Sequence, residues 1–361
     1  MLLTRDTILV VAHDAGGAAV LASVVSAHQD AFNWVLAVAG PAVGILGTDT
    51  LHVQRRVFES DGSAELAQWM RAISPTLLLT GTGWQTSFEL DAIRAARSLA
   101  IPSAAYLDHW VNFRERFGSP AEWETKLPDR ILVGDKYALD RALTDGFAPA
   151  RLVQIENPFL KGLLAGQHPR HAVEAGAKKK ILFVSEPTQT SFPWQQPAPT
   201  TQGWEFDAIE LLAKYVEGTE PRLKLKIRLH PSEQRDKYRI LDEVFARLGV
   251  LVSPACDKPL QEEIRESDAV FGIGSMALLG ACAMGYPVAT ILPPGGTPIL
   301  PHTGIANCYS IQDIAAFLDA PSDRSTTPNM ALYEARADVV LKQLMHASAK
   351  NETGSQDSVV E

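Results

Sequence analysis

Short apolar runs recur along the chain, each closed by a small-residue or polar turn and followed by a stretch with helical spacing of apolar positions. From Thr7, the run ILVVA passes into His13-Asp14-Ala15-Gly16-Gly17 and then AAVLASVVSAH: a continuous apolar strand, a tight turn and a helix, the opening of a parallel α/β unit. LLLTGT at 77–82 precedes a helix at about 87–99, PSAAYLDHW at 102–110 carries another strand, and RILVGD at 130–135 leads into a helix near 137–145. A polar, basic connector at 167–180 separates this series from a second: ILFVSEP (181–187), LKIRLHP (225–231), LGVLVS (248–253), AVFGIGS (269–275) and PVATILPP (287–294). Such alternation predicts an α/β chain with two Rossmann-like domains facing a cleft, at 1–160 and 178–325. A C-terminal helix at 326–348 and a disordered tail at 349–361 follow, the tail because it is almost devoid of apolar residues. The Pro-, Gln- and Thr-rich segment 190–204 reads as a long exposed loop, a lid over the cleft.

Composition narrows the function classes. Among 361 residues, 33 Lys and Arg face 42 Asp and Glu, a formal charge of −9, which argues against a nucleic-acid partner. Cys256, Cys282 and Cys308 are widely spaced and read as buried thiols in a reducing compartment. The N-terminus reads as a first strand, not a signal peptide, and no run approaches the ~18 apolar residues of a membrane span. The expectation is a cytoplasmic protein, with peripheral contact at the inner membrane face only if its acceptor is lipid-linked. There is no G-x-G-x-x-G fingerprint, no D-x-D triplet and no zinc-ligand spacing, so neither a dinucleotide cofactor nor a metal is expected.

Ligands of open parallel sheets collect at the carboxyl ends of the strands, so the polar residues closing each apolar run are the candidates. His13 or Asp14 is a candidate general base, beside Gly16 and Gly17, which let a ligand approach the backbone; alternatively Asp14 only caps the helix. Asp108-His109-Trp110, with Arg114 and Arg116 nearby, offers a second base and an aromatic, cationic surface for an acceptor, or else a structural loop whose Asp and Arg pair with each other. In the second series, Ser185-Glu186, then Arg228 and His230-Pro231, then Gly274-Ser275-Met276 close successive strands. A helix beginning at Ser275 would direct its positive end at an anion, with His230 beside it if the strands are close.

This order, strand–Ser-x-Pro, strand–His-Pro, then Gly-Ser-Met-Ala-Leu-Leu and Gly-Tyr-Pro-Val, resembles the C-terminal half of GT-B glycosyltransferases over roughly 181–292. It is most similar to bacterial sialyltransferases, polysialyltransferases and capsule transferases that use CMP-activated nonulosonic acids; CDP-glycerol polyol-phosphate transferases share the His-Pro and serine features. The resemblance implies that His230 and Ser275 hold the donor phosphate. It also implies a metal-independent transfer of a sugar from a nucleotide-sugar donor to a glycan, lipid-linked or protein acceptor. Two departures matter: the acidic D/E-D/E-G motif of many sialyltransferases is missing, which leaves the catalytic base unassigned, and Gly280 stands where UDP- or GDP-using relatives often carry a ribose-binding Glu, which weakens a UDP-sugar reading. The alternatives are a nucleotide-sugar epimerase or hydrolase of the UDP-N-acetylglucosamine 2-epimerase type, and a non-catalytic binding protein that keeps the donor site.

Overall fold

The computed structural model describes residues 5–46, 53–59, 63–84, 86–118, 122–165, 179–191, 198, 202–219, 223–301, 305–320 and 331–353. The chain forms two compact units, one of Met1–Lys161 with Met330–Glu361 and the other of Gly162–Asn329.

The first unit holds seven strands: β1 (Thr7–Ala12), β2 (Asn33–Val38), β3 (Gln54–Val57), β4 (Leu77–Thr80), β5 (Ser103–Leu107), β6 (Arg130–Val133) and β7 (Leu152–Gln154). They pair in the order β3-β2-β1-β4-β5-β6-β7, all parallel, with Val10 registered to Leu36 on one side and Leu79 on the other. The run ILVVA is wholly buried because β1 is central and both sheet faces are covered. Helix α1 (Ala15–Ala27) follows β1, α2 (Phe88–Ser98) follows β4, and α3 (Lys136–Thr144) follows β6. One face of β1 and β4 (Ile8, Val10, Ala12, Leu77, Leu79) packs against Val20, Leu21 and Val24 of α1. By the two-residue period of strands, His13 and Thr80 belong to the opposite face.

The second unit holds β8 (Lys179–Val184), β9 (Leu223–Arg228), β10 (Leu251–Ser253), β11 (Ala269–Gly272), β12 (Val288–Ile291) and β13 (Ala306–Cys308). Their order is β10-β9-β8-β11-β12-β13, again all parallel. Helix α4 (Trp204–Gly218) crosses from β8 to β9, and α5 (Met276–Ala283) follows β11.

Several expectations are corrected. The C-terminal helix α6 (Ala337–Thr353) is not a separate element: Ala337, Val340, Leu341 and Met345 complete the core of the first unit. It also runs to Thr353, past the expected start of the disordered tail; residues 354–361 lie outside the described set. A docked first half supplies the nucleus from which further helical turns propagate. The basic connector ends inside β8, since Lys179 and Lys180 are already paired with Leu223 and Lys224. Most of the expected lid lies outside the described residues, but its last residue, Trp204, is buried at the start of α4. Cys282 and Cys308 are buried as expected, whereas Cys256 is exposed.

Candidate functional site

Both sheets reverse their winding direction once, between β1 and β4 and between β8 and β11, and the candidate residues lie at the carboxyl ends of β1, β5, β8, β9 and β11.

In the first unit, Asp14 occupies the N-cap position of α1, yet its carboxylate makes no capping hydrogen bond. It accepts instead from His13 Nδ1 at 2.9 Å. That hydrogen bond raises the proton affinity of His13 above the ordinary value of 6.5, burial opposing it and the charges of Asp14 and Glu89 adding to it. The His13 backbone N–H donates to Glu89 Oε1 at 2.8 Å. Glu89, in the first turn of α2, is only 3% exposed, and burial pushes its carboxyl up to about 7. Sequence reasoning missed it, because an acid in the first turn of a helix ordinarily reads as solvated dipole compensation. Two glycines make the close packing feasible: a Cβ on Gly17 would stand 3.2 Å from Gly81 Cα, and one on Gly16 only 2.2 Å from Asp108 Oδ2.

Asp108 accepts from the guanidinium of Arg116 at 2.6 Å, and the same nitrogen donates to the carbonyl and hydroxyl oxygens of Thr82 at 2.6 and 2.8 Å. Both partners are buried, so this is the structural Asp–Arg pairing that the sequence left as one option. His109 Nδ1 accepts from the backbone N–H of Trp110 at 2.9 Å. The Trp110 indole donates to Asp135 Oδ1 at 3.0 Å, and Asp135 caps α3 through the Ala138 amide at 2.8 Å. Burial raises the Asp135 carboxyl, with the hydrogen bonds from Ala138 and Trp110 opposing it. Arg114 donates to the Asp145 carbonyl and lies over the Trp123 ring. Trp110 and Arg114, expected at an acceptor surface, are thus engaged within their own unit.

In the second unit, β8 lies between β9 and β11, which brings together the loops bearing Ser185-Glu186, His230 and Gly274-Ser275. Ser275 caps α5, its Oγ accepting the Ala277 amide at 3.2 Å. Gly274 tolerates no side chain, since a Cβ would lie 2.9 Å from Ile299. Its N–H donates to Glu186 Oε1 at 2.5 Å. Glu186 is buried, and desolvation pushes its carboxyl up to about 8; the Gly274 amide opposes the rise and the charges of Glu205 and Glu233 add to it. His230 Nδ1 is hydrogen-bonded to Ser232 Oγ at 2.7 Å and accepts the Ser232 amide at 3.2 Å, which assigns the proton of the neutral ring to Nε2. The His230 backbone N–H donates to Glu233 Oε2 at 2.8 Å, and Lys237 bridges Glu233 and Glu205. Sequence reasoning missed this Glu205–Lys237–Glu233 network, which joins the first turn of α4 to the segment after β9.

Ser185 shares a hydrogen bond with the Tyr238 hydroxyl. Arg228 donates to the Lys258 and Ala255 carbonyls at 2.7 Å each and pairs with Glu263, so it braces the segment after β10. Pro231 is exposed, and Met276, the first residue of α5, is half-buried. Among the described residues, no three His, Cys, Asp or Glu side chains are grouped to hold a metal ion, and no helix is long and apolar enough to cross a membrane.

No family model matches the sequence, and a search of curated proteins finds no match. Solved structures do resemble it. The UDP-GlcNAc 2-epimerase of Methanocaldococcus jannaschii, in complex with UDP-GlcNAc and UDP, is similar over 94% of this chain and 99% of its own, at 10% identity and a TM-score of 0.66. MnaA of S. aureus, solved with UDP, is similar over 96% of this chain and 97% of its own, at 12% identity and a TM-score of 0.66. The lipopolysaccharide outer core galactosyltransferase WaaB covers 97% of this chain and 99% of its own, at 14% identity and a TM-score of 0.50. The chain therefore has the GT-B architecture of two Rossmann-like α/β units.

Proposed function

We propose that the chain is a nucleotide-sugar enzyme whose second unit holds the nucleotide phosphate and whose first unit supplies the acid–base chemistry. The observation that carries this reading is the juxtaposition of His230 and Ser275 at the carboxyl ends of β9 and β11, on either side of β8. An Nε2–H donor and the start of a helix of aligned peptide dipoles are together suited to a phosphate leaving group without a metal. Glu186 fits that role only in its neutral form: with its carboxyl pushed up to about 8, it keeps its proton near neutrality and does not repel an anion at the Gly274 loop.

The reaction we propose is transfer to an acceptor hydroxyl, as the sequence resemblance implies. His13, oriented by Asp14, is the base, accepting the hydroxyl proton as the sugar–phosphate bond breaks and the nucleotide departs. Asp108 is the weaker candidate because its carboxylate is already neutralised by Arg116. The structurally similar proteins solved with UDP favour a uridine nucleotide over the CMP donor implied by the sequence resemblance. They also support a second reading, epimerisation or hydrolysis of a UDP-sugar with no separate acceptor.

Thermal stabilisation by a panel of UDP-, CMP- and CDP-sugars, measured on the wild type and on His230→Ala, tests the reading. The expected outcome is a nucleotide-dependent shift in the wild type and at least about tenfold weaker affinity in the variant, roughly 1.4 kcal/mol. Unchanged affinity in a folded variant would remove His230 from the phosphate site. Turnover of UDP-GlcNAc alone would favour the second reading.

A further inference from the structure

The β4–α2 connection concentrates an unusual property. Among the described residues, the buried side-chain polar atoms without a hydrogen-bond partner are Thr80 Oγ1, Thr86 Oγ1 and Glu89 Oε2, all within ten positions of one another. Glu89 is the consequential member. One carboxyl oxygen accepts the His13 amide, tying α2 to the turn that carries the His13–Asp14 pair, while the other is sealed from solvent and accepts nothing. An ionised carboxylate so placed keeps the full desolvation penalty on one oxygen. A carboxylic acid protonated on Oε2 keeps the His13 contact on Oε1 and avoids most of that penalty.

We propose that Glu89 is a third member of the His13–Asp14 site: a positioning residue that fixes the β1–α1 turn through the His13 amide and whose proton sets the charge the pair can carry. This rests on the reading of His13–Asp14 as the acid–base pair. The charged groups acting on Glu89 are Asp14 and His13, from the β1–α1 turn, and they act in opposite directions. The nearby Asp108 is matched by Arg116. When His13 takes up a proton, the imidazolium favours ionisation of Glu89; when His13 gives the proton up, Asp14 favours the neutral acid. The three groups therefore exchange charge at nearly constant total, which a base in a buried site needs if each turnover is not to strand an uncompensated charge.

The test uses NMR titration of the full chain, with the His13 ring signals assigned by comparison with His13→Gln. In Glu89→Gln, which keeps an oxygen for the His13 amide, the His13 midpoint is expected to fall by at least about 0.5 pH unit and its curve to become a single step. An unchanged His13 curve in the folded variant would overturn the proposal. Should the variant fail to fold, the Glu89 carboxyl carbon of the wild type decides: a midpoint near neutrality supports the proposal, and one in the ordinary carboxylate range, about 4.3, overturns it. No nucleotide enters these measurements, so their failure is distinguishable from a failure of His230→Ala to alter nucleotide affinity.

Discussion

Asp14 shows how a single side chain reveals a competition. Its backbone, at φ −78° and ψ 149°, is ready for capping, yet its carboxylate turns to His13. Forgoing a cap costs about 1 kcal/mol of helix stability, so the pairing with His13 must offset that loss. Glu186 is the corresponding case in the second unit, and it gives a prediction with a definite sign. Its carboxyl rises from 4.5 to about 8 on folding, so the folded state binds the proton more tightly than the unfolded chain. The stability this contributes is complete at low pH and is lost as pH climbs through that window. Glu186→Gln keeps an acceptor for the Gly274 amide and titrates nowhere. Its melting temperature relative to wild type should therefore increase between about pH 5 and pH 8; a constant difference would show that Glu186 is an ordinary carboxylate. His13, Asp14, His230 and Ser275 were legible as candidates because each closes an apolar run, where strand geometry delivers side chains to one edge of a sheet. Glu89 and Glu205 were not, since only tertiary packing decides whether an acid in the first turn of a helix meets water or, as here, a backbone amide and a lysine ammonium.

At the scale of elements, the β5–β6 connection is instructive. Its Trp110, Phe113 and Phe117 read from sequence as an aromatic surface for an acceptor. The two phenylalanines turn inward instead: Phe117 and Phe113 lie 5.9 and 6.4 Å from Phe147, ring centre to ring centre, and Trp123 lies 4.7 Å from the same ring. Arg97 fastens the far end of the loop through the carbonyls of Thr125 and Leu127, at 2.6 Å each. A connection this long needs its own small core to hold one conformation, and composition alone does not distinguish such a core from a binding platform. Trp110→Phe tests the difference. Loss of the indole N–H leaves the buried Asp135 short of a donor and should lower stability in urea by about 1–3 kcal/mol. Nucleotide affinity should be untouched. A variant as stable as wild type but impaired in acceptor use would restore Trp110 to the acceptor surface.

For the whole molecule, the strand–helix alternation was sufficient to predict two parallel sheets, because strands that alternate with helices are joined by crossovers and are covered on both faces. It could not predict which unit the last helix joins, since an apolar stripe specifies burial but not the partner. The answer lies in polar detail: Glu156 Oε1 accepts both the Ala337 amide at 2.7 Å and His28 Nε2 at 2.8 Å. Burial would raise the Glu156 carboxyl, but these hydrogen bonds outweigh it and hold the group below its usual value. Leu341 is fully buried in the apolar core of the first unit, and Leu341→Ala should destabilise that unit by about 2–5 kcal/mol, read by hydrogen exchange in β1 and β2. Protection there equal to wild type would mean that α6 is dispensable to the unit.

The return of α6 makes the first unit discontinuous in the chain, while the second is continuous. On the ribosome, β1 and β2 are synthesised early but lack part of their covering layer until Ala337–Met345 have emerged. The unit whose strands are made first is therefore the one completed last, and the apolar surface it exposes in the interval is where chaperone capture and premature degradation would act.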